Sequence, residues 1–105
     1  MYKEHRIAVV VPAYREEGLI ARTVKGVPDY VDDIVVVDDC SPDRTSEEAA
    51  AVDDPRLTLH RLERNQGVGG AILTGHQIAM ERGADVMVVM AGDDQMDPHE
   101  MPKLL

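Results

Sequence analysis

The chain has 105 residues and reads as one domain, long enough to bury about two-thirds of the surface that its unfolded form exposes. Phe and Trp are absent and there are three tyrosines, so the core must be built from Val, Ile, Leu, Ala and Met. A formal net charge of −9 excludes nucleic acid, whose binding needs a basic stripe, and requires a cation between the protein and any diphosphate ligand.

In chain order, residues 1–6 are charged and the apolar run behind them is broken at Pro12, so nothing resembles a signal peptide. Ile7–Val11 is a short β-branched run stopped by Pro12, the pattern of a strand buried on both faces. Over Glu16–Lys25, Leu19, Ile20, Thr23 and Val24 recur at helical spacing, which predicts a helix ending near Gly26 and Pro28. Ile34–Val37 is a second buried strand that runs into Asp38 and Asp39. Cys40 follows; as the sole cysteine it forms no internal disulfide, and it fits an intracellular setting.

Ser41 is the predicted N-cap of the next helix, with Pro42 at its first position and the end before Asp53. Leu57–Leu62 alternates apolar and polar residues, as an edge strand does. Asn65-Gln-Gly-Val-Gly-Gly70 opens a long helix closed by Gly83, whose Ile72, Leu73, His76, Ala79 and Met80 share one face. The glycines do not form a dinucleotide fingerprint, because Ile72 stands where G-x-G-x-x-G needs glycine. Close packing of Gly69, Gly70 and Ala71 on the sheet, or a loop near phosphate, is the better reading. Val86–Met90 is the fourth strand, ending at Gly92-Asp-Asp-Gln95, and Asp97-Pro98-His-Glu100 marks a further helix start. No apolar run approaches the length of a membrane span.

Strand and helix alternate, which calls for a Rossmann-like α/β fold: a parallel sheet of order 3-2-1-4 with flanking helices and right-handed crossovers. Ligands of such sheets bind beyond the carboxyl ends of the strands where the winding reverses, here between strands one and four. Three polar clusters fall at those ends: Ala13-Tyr-Arg-Glu16, Asp38-Asp39 and Asp93-Asp94-Gln95. A carboxylate beside an amide oxygen at Asp93 and Gln95 suits Mg²⁺ or Mn²⁺; the alternative is a solvated turn before the Asp97 cap. Asp38 and Asp39 repel each other and suit donors such as a base N–H or ribose hydroxyls, unless they form a charged loop. His76 reads as a packed residue and His60 as a strand-surface residue. Neither a Ser/His/Asp arrangement nor zinc-ligand spacing is present.

The ordered set Val11-Pro-Ala-Tyr-Arg-Glu-Glu17, Val36-Val-Asp-Asp-Cys-Ser-Pro-Asp-Arg-Thr45, Asn65-Gln-Gly-Val-Gly-Gly-Ala71 and Gly92-Asp-Asp-Gln-Met-Asp-Pro98 resembles family 2 glycosyltransferases of the GT-A fold, with the dolichol-phosphate mannosyltransferase-like branch nearest. The resemblance covers almost the whole chain. It implies that residues 1–105 form the nucleotide-sugar-binding half of that fold. Pro12, Ala13, Tyr14 and Glu16 would line the nucleotide pocket, Tyr14 and Asp39 would lie against the base, and Asp38 would be their neighbour. Asp93 matches the metal ligand of the family's D-x-D motif and Gln95 the glutamine after it, with Mg²⁺ or Mn²⁺ as the ion. The implied reaction is inverting transfer from a nucleoside-diphosphate sugar to a polyprenyl phosphate or another glycan or lipid acceptor.

Two departures from the family pattern stand out. Ala91 occupies the place of the first D-x-D carboxylate, and the acceptor half and catalytic base are expected past residue 105, which leaves the catalytic residues unassigned. A chain that stops after strand four would leave an open sheet edge, so a homo-oligomer is expected. The expected location is cytoplasmic, at the cytoplasmic membrane face in a full-length enzyme. Rival readings are a noncatalytic nucleotide-binding fragment, a receiver-like Mg²⁺-binding signalling domain, and a nucleotidyltransferase. The last needs a basic Gly-rich loop, of which residues 13–18 are a poor version.

Overall fold

The β-branched runs become the centre of a four-stranded parallel sheet in the computed structural model, which describes residues 5–90. Strands β1 (Ile7–Ala13), β2 (Asp33–Asp38), β3 (Leu57–Arg61) and β4 (Val86–Val89) lie in the order β3-β2-β1-β4. Val9 pairs with Ile34 on one side and Val88 on the other, and Ile34 pairs with Leu57. The expected order therefore holds. It also removes the receiver reading, because that fold places strand three beside strand one.

Period-2 alternation divides the sheet residues between two cores. Ile7, Val9, Val11, Ile34, Val36 and Val88 face helices α1 (Ile20–Lys25) and α2 (Thr45–Ala50), meeting Ile20, Val24 and Ala49. Ala8, Val10, Val35 and Val37 face helix α3 (Gly67–Glu81), meeting Ala71 and Ala79. With both faces covered, Val9, Val10 and Val11 lose all solvent contact, as do Val35, Val36 and Val37. Burying each such side chain contributes roughly 1.5–3 kcal/mol.

Four expectations need correction. Pro12 does not stop β1; the strand continues through Ala13, with Pro12 opposite Val37. Backbone groups of a parallel strand point alternately to its two neighbours: Val10 accepts from Met90 in the β4 direction and Ala13 accepts from Asp39 in the β2 direction. Pro12 shares the parity of Val10, so its missing N–H removes no bond to β2. Helix α1 begins at Ile20 rather than Glu16, because Arg15 (φ 54°) and Gly18 (φ 86°) take left-handed conformations that no helix accommodates.

Ser41 is not the cap of α2. Its hydroxyl bonds to Asp38 and to the Arg15 N–H, and Asp43 Oδ1 accepts from the Thr45 N–H instead. Lastly, the face that α3 lays on the sheet is Ala71, Gly75 and Ala79, spaced one turn apart, while Leu73 and Met80 are about 60% exposed. Small residues win that face because a Cβ on Gly75 would sit 2.3 Å from Val10 Cγ1. Gly69, by contrast, has open space around it and contributes nothing to close packing.

His76 is half-buried with Nδ1 3.2 Å from Met87 Sδ, and His60 is exposed on edge strand β3, as expected of both. Ala91, Asp93, Asp94, Gln95 and the helix expected at Asp97 lie outside the described residues. Among the described residues, no helix is long and apolar enough to cross a membrane.

Candidate functional site

At the carboxyl ends of β1 and β2 a cavity of about 220 Å³ opens under the first turn of α3, lined by Pro12, Ala13, Tyr14, Glu16, Asp39, Val68 and Ala71. It is smaller than the roughly 300–1,000 Å³ of whole-ligand pockets, so it accommodates one ring-sized part of a ligand. The site lies nearer the β1–β2 boundary than the expected crevice between β1 and β4. Five of the residues expected to line a pocket are thus brought together: Pro12, Ala13, Tyr14, Glu16 and Asp39.

The two adjacent aspartates are separated by strand alternation. Asp38 lies on the α2 side, fully buried, its Oδ1 accepting from the Ser41 N–H at 3.0 Å and from the Ser41 hydroxyl, and its Oδ2 from the Ser46 hydroxyl. Its carboxylate organises the β2–α2 loop, and Asp38 is a neighbour of the cavity-lining Asp39 rather than one of the described residues that line the cavity. Asp39 turns the other way, toward α3. Its two oxygens accept from the Gln66 N–H at 2.7 Å and the Gly67 N–H at 2.9 Å.

Those two N–H groups belong to the unsatisfied first turn of α3, so Asp39 caps that helix from another element. An ionised carboxylate offers about four acceptor sites, and two bonds leave capacity for donors arriving in the cavity. Gly67, at φ 83°, supplies the left-handed turn that brings its N–H under Asp39.

Tyr14 is 39% exposed, and the Arg15 guanidinium lies 5.3 Å from its ring centroid. The residues after Tyr14 and Asp39, namely Arg15 (φ 54°) and Cys40 (φ 59°), are both left-handed without being glycine. Each such conformation costs about 1–3 kcal/mol and is retained only where the surroundings enforce it.

The enforcement is visible for the β1–α1 turn. The N–H groups of Arg15, Glu16, Glu17 and Gly18 are accepted respectively by Ser41 Oγ (2.9 Å), Thr45 Oγ1 (2.9 Å), Asp43 Oδ2 (3.4 Å) and Glu48 Oε1 (2.7 Å). The hydrogen bond from the Thr45 hydroxyl is the main cause that holds the Asp43 carboxyl below its ordinary value. Sequence reasoning missed this network, as it missed Val68 and Ala71 in the cavity wall. The signal available for it was Ser41-x-Asp43-x-Thr45, three side chains able to accept backbone N–H bonds.

All four turn amides are thus engaged within the protein, and this loop offers no ready cradle for phosphate. Nor do the described residues supply a cation site: among them, no group of three or more His, Cys, Asp or Glu could hold a metal ion. The expected ligands Asp93 and Gln95 lie beyond residue 90.

Comparison with known proteins bears on what the cavity serves. Residues 8–105 match the family model described as Glycosyl transferase family 2. The undecaprenyl-phosphate mannosyltransferase of Micrococcus luteus is 37% identical over an alignment 105 positions long that covers 95% of this chain and 43% of that protein. The UDP-N-acetylglucosamine–dolichyl-phosphate N-acetylglucosaminyltransferase of Methanococcus voltae is 31% identical over an alignment 114 positions long that covers 94% of this chain and 45% of that protein. Among solved structures, the mannosyltransferase PcManGT from Pyrobaculum calidifontis, in complex with GDP-Man and Mn²⁺, superposes with a TM-score of 0.75 at 28% identity, over 88% of this chain and 28% of that one. The chain spans less than half the length of each of these relatives.

Proposed function

The chain belongs to glycosyl transferase family 2, and from that premise we propose that it forms the donor-binding part of an enzyme moving a sugar from a nucleoside diphosphate to a polyprenyl phosphate. The observation that carries this reading is the cavity at the ends of β1 and β2, where Tyr14 and the acceptor-only carboxylate of Asp39 meet apolar Pro12, Val68 and Ala71. A flat base would lie on the apolar wall beside Tyr14 and direct its ring N–H at Asp39. Uracil and guanine each present such an N–H; the corresponding ring nitrogens of cytosine and adenine are acceptors and would face the carboxylate lone pairs.

The diphosphate would then extend beyond the cavity toward Asp93 and Gln95, which are the proposed ligands of a Mg²⁺ or Mn²⁺ ion. Two observations support charge compensation by an ion. The protein carries a net −9, and the amides of the β1–α1 turn are already bonded to Ser41, Asp43, Thr45 and Glu48. Mn²⁺ in the PcManGT complex and the polyprenyl-phosphate names of the two relatives support the ion and the acceptor class. In a full-length enzyme with such an acceptor, the domain would work at the cytoplasmic membrane face.

Calorimetric titration with UDP, GDP, CDP and ADP, each with Mn²⁺ or with chelator at fixed salt, tests the reading. UDP or GDP should bind in Mn²⁺ and weaken at least tenfold with chelator, a difference of about 1.4 kcal/mol. Asp93→Asn should abolish the Mn²⁺ dependence and Asp94→Asn should change it little. A chain that binds none of the four in Mn²⁺ sinks the donor-site reading. Loss of Mn²⁺ dependence in Asp94→Asn with Asp93→Asn unaffected would shift the metal register by one residue.

A further inference from the structure

The four side chains that grip the β1–α1 turn all come from one short stretch, residues 41–48, and none of them lines the cavity. Resting on the donor-site reading above, we propose that Ser41 and Thr45, assisted by Asp43 and Glu48, are positioning residues that hold Tyr14 and Glu16 in their ligand-binding placement.

The argument begins with the hydroxyl group, which has one proton and two lone pairs. The Ser41 proton is committed to Asp38 Oδ1 at 2.5 Å and the Thr45 proton to Asp43 Oδ1 at 2.5 Å. Each hydroxyl can then serve the turn only as an acceptor. It receives the Arg15 N–H in one case and the Glu16 N–H in the other, both at 2.9 Å. Two parallel relays result, Asp38–Ser41–Arg15 and Asp43–Thr45–Glu16, in which a carboxylate fixes the direction of a hydroxyl and the hydroxyl fixes a backbone amide. Bonds arranged head to tail in this way polarise and strengthen one another.

The relays act where the backbone needs holding. Arg15 is a left-handed non-glycine residue between Tyr14 and Glu16, the two residues of the turn that face the cavity. Released from Ser41 and Thr45, the chain would relax toward ordinary dihedral angles and carry both side chains with it. Thr45 is fully buried, so no water replaces its oxygen without rearrangement. Glu48, whose two oxygens accept the Gly18 N–H at 2.7 and 3.1 Å, anchors the outer end of the turn.

Thr45→Val removes the acceptor at constant shape, Thr45→Ser keeps it, and Ala50→Gly weakens α2 away from the turn. Amide hydrogen exchange measured by NMR should speed up roughly tenfold at Glu16 in Thr45→Val and stay near the parent rate in Thr45→Ser. Affinity for the tighter of UDP and GDP in Mn²⁺ should fall about tenfold in Thr45→Val and recover in Thr45→Ser. Ala50→Gly should bind like the parent even where its melting temperature is as low as that of Thr45→Val. Unchanged exchange at Glu16, unchanged affinity in Thr45→Val, or an equal loss in Ala50→Gly would each overturn the positioning role. A parent chain that binds neither nucleotide would overturn the donor-site reading itself, whatever the exchange rates.

Discussion

At the scale of single residues, this protein uses its carboxylates as acceptors for its own backbone and side chains before any ligand arrives. Asp38 serves Ser41 and Ser46, Asp39 serves the start of α3, and Asp43 and Glu48 serve the β1–α1 turn. Away from the site, Arg56 donates Nε and Nη2 to the two oxygens of Asp54 at 3.1 and 2.9 Å and Nη1 to the Pro28 and Val31 carbonyls, tying two loops together. The hydrogen bond from Arg56 is the main cause that holds the Asp54 carboxyl below its ordinary value of 3.8. A depressed folded-state value means stability that is present above the unfolded value and lost as pH falls through the folded one. Asp54→Asn should therefore cost about 1–3 kcal/mol near neutrality, because it leaves a half-buried guanidinium without its partner ion. The deficit against the parent should shrink below about pH 4, where the parent loses the same interaction. Urea unfolding of both proteins between pH 3 and 7 measures it; a deficit constant over that range would show that the pair does not titrate as described.

At the scale of elements, the contact between α3 and the sheet is set by what is missing from Gly75. Alanine there would bring its Cβ within 2.3 Å of Val10 Cγ1 and 3.3 Å of Val10 Cβ. Val10 is fully buried in a central strand and has nowhere to move. Overpacking of this kind costs about 1–3 kcal/mol and outweighs the gain of roughly 0.8–1 kcal/mol in helix propensity. Gly69→Ala provides the contrast, since nothing lies within 4 Å of its added carbon. Thermal unfolding should show Gly75→Ala less stable than the parent and Gly69→Ala equal or more stable. Gly75→Ala unfolding at or above the parent temperature would mean that α3 sits farther from the sheet than described.

At the scale of the whole molecule, the two edges of the described sheet differ. Edge strand β3 runs from half-buried Leu57, Thr58 and Leu59 to exposed, polar His60 and Arg61. β4 is an apolar run that pairs with β1 alone among the described residues, leaving Val86, Met87 and Val89 half-buried. Apolar strand edges without a partner associate. If no residue beyond 90 covers that edge, the 105-residue chain is expected to dimerise or form a weak oligomer, with an apparent mass in light scattering that rises with concentration. A constant 11.6 kDa would show that the β4 edge is covered within the chain.

Hydrophobic period and β-branched content determined the central strands, because a strand buried on both faces leaves an unbroken Val/Ile run that few other structures produce, and the alternation of strand and helix determined their parallel pairing. That β1 pairs with β4 rather than β3 was decided by the fold. Residue order also placed Pro12, Ala13, Tyr14, Glu16 and Asp39 at one end of the sheet. Three-dimensional packing decided the rest. The sequence shows two equivalent aspartates; only the pleat sends Asp38 into the α2 loop and Asp39 to the cavity and the start of α3. It likewise shows large apolar residues on α3, whereas the packed face is Ala71, Gly75 and Ala79, because the distance of closest approach depends on the partner surface. Ser41 reads locally as a helix cap, and in the fold its hydroxyl is drawn instead to Asp38 and the Arg15 amide. Such long-range bonds leave no periodic trace, since a hydrogen bond across 26 residues is specified by where two loops meet and not by either loop alone.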